Sequence, residues 1–121
     1  MTVDGVLVCA VVKNWRSPVA RGTRAAERER GWLQSSYDSY KERRFADTVA
    51  QSEQVLQLNP QSAAAYNNIC AASNELGDFT HALEACSKGL ALLPDDQLLR
   101  NNRSVAERGL ESQRRGAGGG P

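Results

Sequence analysis

Two stretches of the chain repeat each other at an offset of 34 residues, and no other feature constrains the fold as strongly. Trp32 to Pro60 lies over Tyr66 to Pro94. An aromatic falls on an aromatic (Trp32 on Tyr66), Phe45 on Phe79, Leu56 on Leu90, Leu58 on Leu92 and Pro60 on Pro94. A third copy begins and stops early, because Asn67-Asn68 recurs as Asn101-Asn102. Self-similarity at a fixed period of this size marks a helical repeat array. Each unit is too small to bury its own apolar face, so neighbours must stack. Such arrays mostly hold partners rather than perform chemistry.

Five helices follow from apolar period and punctuation. The first is expected over 30–43 and the second over 46–58, where Asn59-Pro60 stops it, since Pro cannot continue a helix and disfavours helical geometry just before it. The third covers 63–76 with Ser62 as N-cap. Gly77 supplies a left-handed C-terminal turn and Asp78 caps the fourth helix, over 79–92, which ends before Pro94. Asp95-Asp96 precede a last helix over 97–111, two acids suited to a helix N-terminus. Phe79, Ala82, Leu83, Cys86, Leu90 and Leu93 recur at helical spacing on one face. Gly89 in mid-helix costs about 1 kcal/mol relative to Ala, which implies a contact too close for a Cβ.

Charge divides the chain. Residues 1–30 sum to +3, residues 31–96 to −5 and residues 97–121 to +3. An acidic repeat region argues against phosphate-backbone binding. The expected layout is a basic, flexible leader over 1–28, a repeat domain over 29–112 and a disordered Gly-rich tail over 113–121. The apolar run Val6 to Val12 is too short to span a bilayer, which takes about 20 residues, and its flanks do not suit a signal peptide. The arginines between Arg16 and Arg30 read as solvated leader, with an anionic-surface arm as the alternative. Cys9, Cys70 and Cys86 form an odd, scattered set without CxxC. They suggest packing thiols in a reducing, cytoplasmic setting rather than a disulfide framework.

These residues resemble the tetratricopeptide repeats. With repeats numbered from Glu29 and Ala63, the family's aromatic at position 4 is Trp32 and Tyr66, and its small position 8 is Ser36 and Cys70. The turn pair at 15–16 is Gly77-Asp78 in the second repeat, and the aromatic at 17 is Phe45 and Phe79. Small position 20 is Thr48 and Ala82, position 27 is Val55 and Gly89, and Pro at 32 is Pro60 and Pro94. The first repeat departs from the pattern: Arg43-Arg44 replaces the Gly turn, and Thr48 and Val55 are bulky. The resemblance implies an all-α fold, a short right-handed α-solenoid of two helix hairpins (29–62 and 63–96) plus a capping helix (97–111). Tyr66-Asn67-Asn68-Ile69-Cys70 also resembles repeat segments appended to bacterial proteins, some of them membrane-bound glycosyltransferases, a hint of bacterial source.

In that family the first helix of each hairpin lines a concave groove. The resemblance places Leu33, Tyr37, Tyr40 and Lys41 there from the first repeat, with Arg30 and Gln34. Asn67, Asn68, Ala71 and Asn74 come from the second, with Ala64 and Glu75. Asn101 and Asn102 come from the cap, with Leu98, Val105 and Arg108. Side-chain amides offer donors and acceptors to an extended peptide, and tyrosines supply anchors; an exposed Asn on a helix can equally be idle. Chaperone-binding members, the Hsp70/Hsp90 cochaperones, clamp a C-terminal carboxylate with cationic and amide side chains. At the five clamp positions this chain has Leu33, Tyr37, Asn68, Leu98 and Asn102, so only Asn68 matches. A carboxylate without cationic donors is poorly held.

No phosphate loop, GxSxG or paired-carboxylate motif appears, and His81 has no Cys or His at metal-ligand spacing. The expected function is a non-enzymatic protein–protein interaction adaptor without cofactor or metal, binding a protein or peptide rather than nucleic acid and spanning no membrane. The alternative is a homo-oligomerisation module with an empty groove, since arrays need about three repeats to bury a continuous core.

Overall fold

A computed structural model describes residues 2–3, 6–7, 11 and 23–119. Two short strands, β1 (Thr2–Val3) and β2 (Val6–Leu7), pair antiparallel, Thr2 opposite Leu7 and Val3 opposite Val6. Five helices follow: α1 (Thr23–Lys41), α2 (Phe45–Leu58), α3 (Ala63–Leu76), α4 (Phe79–Leu92) and α5 (Gln97–Gly119). Each helix packs on the next, and α3 also packs against α1 and α5. The architecture is an all-α solenoid of two helix hairpins closed by a fifth helix. The odd-numbered helices form one wall and α2 and α4 back it.

The two hairpin turns are built alike. In the second, Gly77 takes φ 78°; its N–H donates to the Asn74 carbonyl and the Asp78 N–H to that of Ser73, at 3.1 and 2.9 Å. This is a Schellman closure. One repeat earlier, Arg43 takes φ 64°, its N–H donates to Tyr40 and that of Arg44 to Ser39, at 3.0 and 2.8 Å. A side chain here replaces glycine in the left-handed region at a steric cost. The caps differ as well. The side chains of Ser62, Asp78 and Asp96 accept from the N–H groups of Ala65, His81 and Leu99, whereas Arg44 provides no side-chain cap.

The core lies between the two helix layers. Ile69, Cys70, Ala82, Cys86, Leu90, Leu99 and Ala106 form one buried cluster, and Leu33, Val55, Ala64 and Ala65 a second. A Cβ on Gly89 would lie 2.7 Å from Leu99 Cδ2 and 3.2 Å from Tyr66 Cβ. The mid-helix glycine therefore lets α4 approach α5. The small positions 20 and 27 of the first repeat, Thr48 and Val55, are both fully buried despite their bulk.

Three expectations need correcting. Cys70 and Cys86 are joined in a disulfide between α3 and α4, with Cα atoms 5.4 Å apart, inside the range a disulfide bridges. Counting spacing along the chain missed this pair, because the residues meet only when the hairpin closes; Cys9 lies outside the described residues. The first helix begins at Thr23 rather than 30, since Ala25-Ala26-Glu27-Arg28 are strong helix formers with no breaker among them. The fifth helix continues to Gly119 rather than 111, so residues 113–119 are helical. Gln113 Nε2 donates to the Gly77 carbonyl at 3.0 Å, and Glu111 pairs with Arg115 at 3.1 Å one turn on.

Candidate partner-binding site

The expected groove residues fall on the α1–α3–α5 wall and divide into two groups. Tyr37 and Tyr40 are half-buried and Lys41 is exposed. The Lys41 ammonium sits 5.2 Å from the Tyr37 ring centroid, within cation–π range. The Tyr40 hydroxyl donates to Glu75 Oε2 on α3 at 3.2 Å, and its ring meets Phe45 edge-on at 5.2 Å. Asn101 is partly exposed and accepts from Gln97 at 2.8 Å. This group presents aromatic and cationic side chains.

The second group is buried. Leu33, Ala71 and Asn74 are 3%, 0% and 7% exposed, and Asn67, Asn68 and Asn102 are each 0% exposed. The amides form a chain across the wall. Asn102 Nδ2 on α5 donates to Asn67 Oδ1 on α3 at 2.7 Å, and Asn67 Nδ2 donates to Asn68 Oδ1 at 3.4 Å. Asn68 Nδ2 donates to Ser36 Oγ on α1 at 3.0 Å, and Ser36 donates to the Leu33 carbonyl at 2.7 Å. Asn74 Nδ2 adds a bond to the Asn102 carbonyl at 2.9 Å. Buried amides must find partners, and here the repeated Asn pair supplies them to one another. Ser36, absent from the expected site, completes the chain. Its signal was the small residue at position 8, which reads as packing until a neighbouring amide reaches it.

Glu29 and Asn59 were likewise missed. Asn59 Nδ2 donates to the Glu29 carboxylate at 3.1 Å, while its Oδ1 accepts from the Gln61 N–H at 3.1 Å. Asn59-Pro60 therefore stops α2 and also ties the α2–α3 link to α1. The remaining repeat positions hold the frame. Ala82 is fully buried, Tyr66 packs against the main core cluster, and Trp32 stays 37% exposed. Pro60 and Pro94 stand in the links before α3 and α5. On the opposite side a cleft of about 200 Å³ is lined by Glu53, Leu56, Tyr66, Ile69, His81, Glu84, Ala85 and Lys88, which places His81 away from the wall. Among the described residues, no three His, Cys, Asp or Glu side chains are grouped to hold a metal ion. No described helix is long and apolar enough to cross a membrane.

Five stacked helices in hairpins, with the 34-residue offset preserved in the two hairpin turns, define a helical-repeat protein. The chain is 34% identical over 77 residues to the Hsp70-Hsp90 organizing protein of Triticum aestivum. That match covers 64% of this chain and 13% of the wheat protein, so the chain corresponds to a small part of its relative. The similarity agrees with the tetratricopeptide resemblance and gives the bacterial one no support. No protein-family profile matches the chain, and no solved structure matches it.

Proposed function

We propose that the protein is a non-enzymatic adaptor that binds a protein or peptide on the α1–α3–α5 wall. The observation that supports this most is the pairing of the half-buried Tyr37 with the exposed Lys41 on α1, beside Tyr40, with Asn101 on the same wall. An aromatic side chain with a cation over its ring is a compact hot-spot element. Similarity to a protein named for organising two chaperones favours the same class. The binding chemistry differs from a carboxylate clamp. Leu33, Asn68 and Asn102 stand at three clamp positions, are buried, and carry no cation, and Tyr37 and Leu98 fill the others. The preferred partner is therefore an extended segment held through aromatic contacts and its backbone.

The test compares the 121-residue chain with its Tyr37→Ala/Lys41→Glu variant in capture experiments. Partners held by the native chain are expected to fall at least tenfold with the variant, at unchanged helicity. Identical capture by both would sink wall binding. A melting temperature that climbs with protein concentration would instead favour an assembly module, because dimerisation stabilises by mass action.

A further inference from the structure

The side of the array opposite the wall carries a feature of its own. Helices α2 and α4 both pack on α3, and between them lies the cleft of about 200 Å³. Its floor is apolar: Leu56 from α2, Tyr66 and Ile69 from α3, and Ala85 from α4. Its rim carries Glu53 from α2 and His81, Glu84 and Lys88 from α4. Lys88 Nζ is paired with Glu84 at 3.5 Å, one turn away, and His81 Nδ1 lies 3.8 Å from Asp78. Glu53 is exposed and has no ion pair among the described residues. With His81 neutral, Asp47, Glu53 and Glu84 against Lys88 leave α2 and α4 together at −2.

We infer that this cleft is a second docking site, which receives an arginine or lysine side chain from a basic segment of a partner protein. Volume sets the first limit. The cleft is smaller than the roughly 300–1,000 Å³ of small-molecule pockets, and it suits a single side chain. Charge sets the second. Lys88 is already engaged by Glu84, whereas Glu53 is unpaired, so an incoming anion meets a carboxylate and an incoming cation gains one. The apolar floor sets the third. Arginine and lysine lay their aliphatic stems on apolar surface and keep the charged head at a wet rim, and the Tyr66 ring adds an aromatic surface that attracts a cation. A purely apolar anchor would cover the floor but take water from Glu53 without giving it a partner, which is unfavourable. The site does not depend on the Tyr37–Lys41 pair, and a segment bound there leaves the wall free.

The test titrates the isotope-labelled 121-residue chain with two capped peptides, Leu-Arg-Leu and Leu-citrulline-Leu, and follows backbone amide signals by NMR. Citrulline keeps the shape of arginine and removes its charge. The arginine peptide is expected to shift the signals of Leu56, Ile69 and Ala85 and to bind about threefold to tenfold tighter than the citrulline peptide, the range for a cation held at an exposed rim. Glu53→Gln is expected to lower affinity for the arginine peptide by about threefold, with citrulline binding and helicity unchanged. Equal affinity for the two peptides would overturn the proposal, as would shifts confined to other surfaces or no response to either peptide. Self-association of the chain in sedimentation, lost in Glu53→Gln, would give the cleft to a second copy and overturn the partner assignment. Capture on the wall is read separately from the Tyr37→Ala/Lys41→Glu variant, so failure here leaves the adaptor reading standing.

Discussion

Arg43 shows how one residue can carry a repeat's departure from its own rule. It adopts the backbone conformation that glycine takes one repeat later, φ 64° against 78°. Its guanidinium lies 5.4 Å from the Phe45 ring centroid, a partial offset worth about 0.5–1 kcal/mol when exposed. A non-glycine residue in this region costs about 1–2 kcal/mol, so Arg43→Gly is expected to stabilise the fold by a few tenths to about 1 kcal/mol, read as a higher urea midpoint. A midpoint that falls would show that the Phe45 contact outweighs backbone strain. Gly89 behaves in the opposite sense. With Leu99 and Tyr66 already against the site of its Cβ, Gly89→Ala is expected to destabilise by about 1–3 kcal/mol through overpacking, despite alanine's better helix propensity. Thermal melts of the two variants side by side test both signs.

At the scale of elements, the amide chain from Asn102 through Asn67 and Asn68 to Ser36 ties α5, α3 and α1 together. Removing one member leaves buried partners unsatisfied, which costs about 1–3 kcal/mol. Asn68→Ala is therefore expected to lower stability by that amount, and a double-mutant cycle with Ser36→Ala should show coupling. Additive effects of the two substitutions would mean that the bond contributes nothing. The Cys70–Cys86 disulfide links α3 to α4 across 16 residues, a loop for which chain entropy gives about 3 kcal/mol. Reduction is expected to lower the melting temperature by roughly 10–20 °C in a domain of this size. Unchanged melting under a reductant, with both thiols free by mass, would remove the disulfide from the account of stability. The first repeat carries Ser36 and Ser52 at the equivalent positions, so only the second hairpin is cross-linked.

For the whole molecule, the wall's chemistry distinguishes it from a carboxylate clamp. Its clamp-equivalent positions carry no cation, so the affinity of any captured peptide should change less than about twofold when its C-terminal carboxylate is amidated, because no charge-assisted bond to that group is lost. A loss of tenfold or more would place a carboxylate contact on the wall. Asn67, Asn68 and Asn102, expected to touch a partner, are instead inside the wall, so substituting them reports on folding. On the proposed reading, Tyr37 and Lys41 are the positions whose substitution tests binding.

The 34-residue offset, with apolar period and punctuation, determined the number of helices, their order and their pairing into hairpins, but not the start of α1 or the end of α5. Period and punctuation are local properties, and Pro60, Gly77, Asp78 and Pro94 impose them wherever the chain goes. The packing reason for Gly89 was legible too, because a mid-helix glycine has a propensity cost that some contact must offset. Only the tertiary structure decided which amides are spent internally, that Cys70 faces Cys86, and that Arg43 takes the left-handed turn. Each depends on atoms brought together across tens of residues, and a residue type does not reveal whether its polar group meets water, a partner or a neighbouring helix.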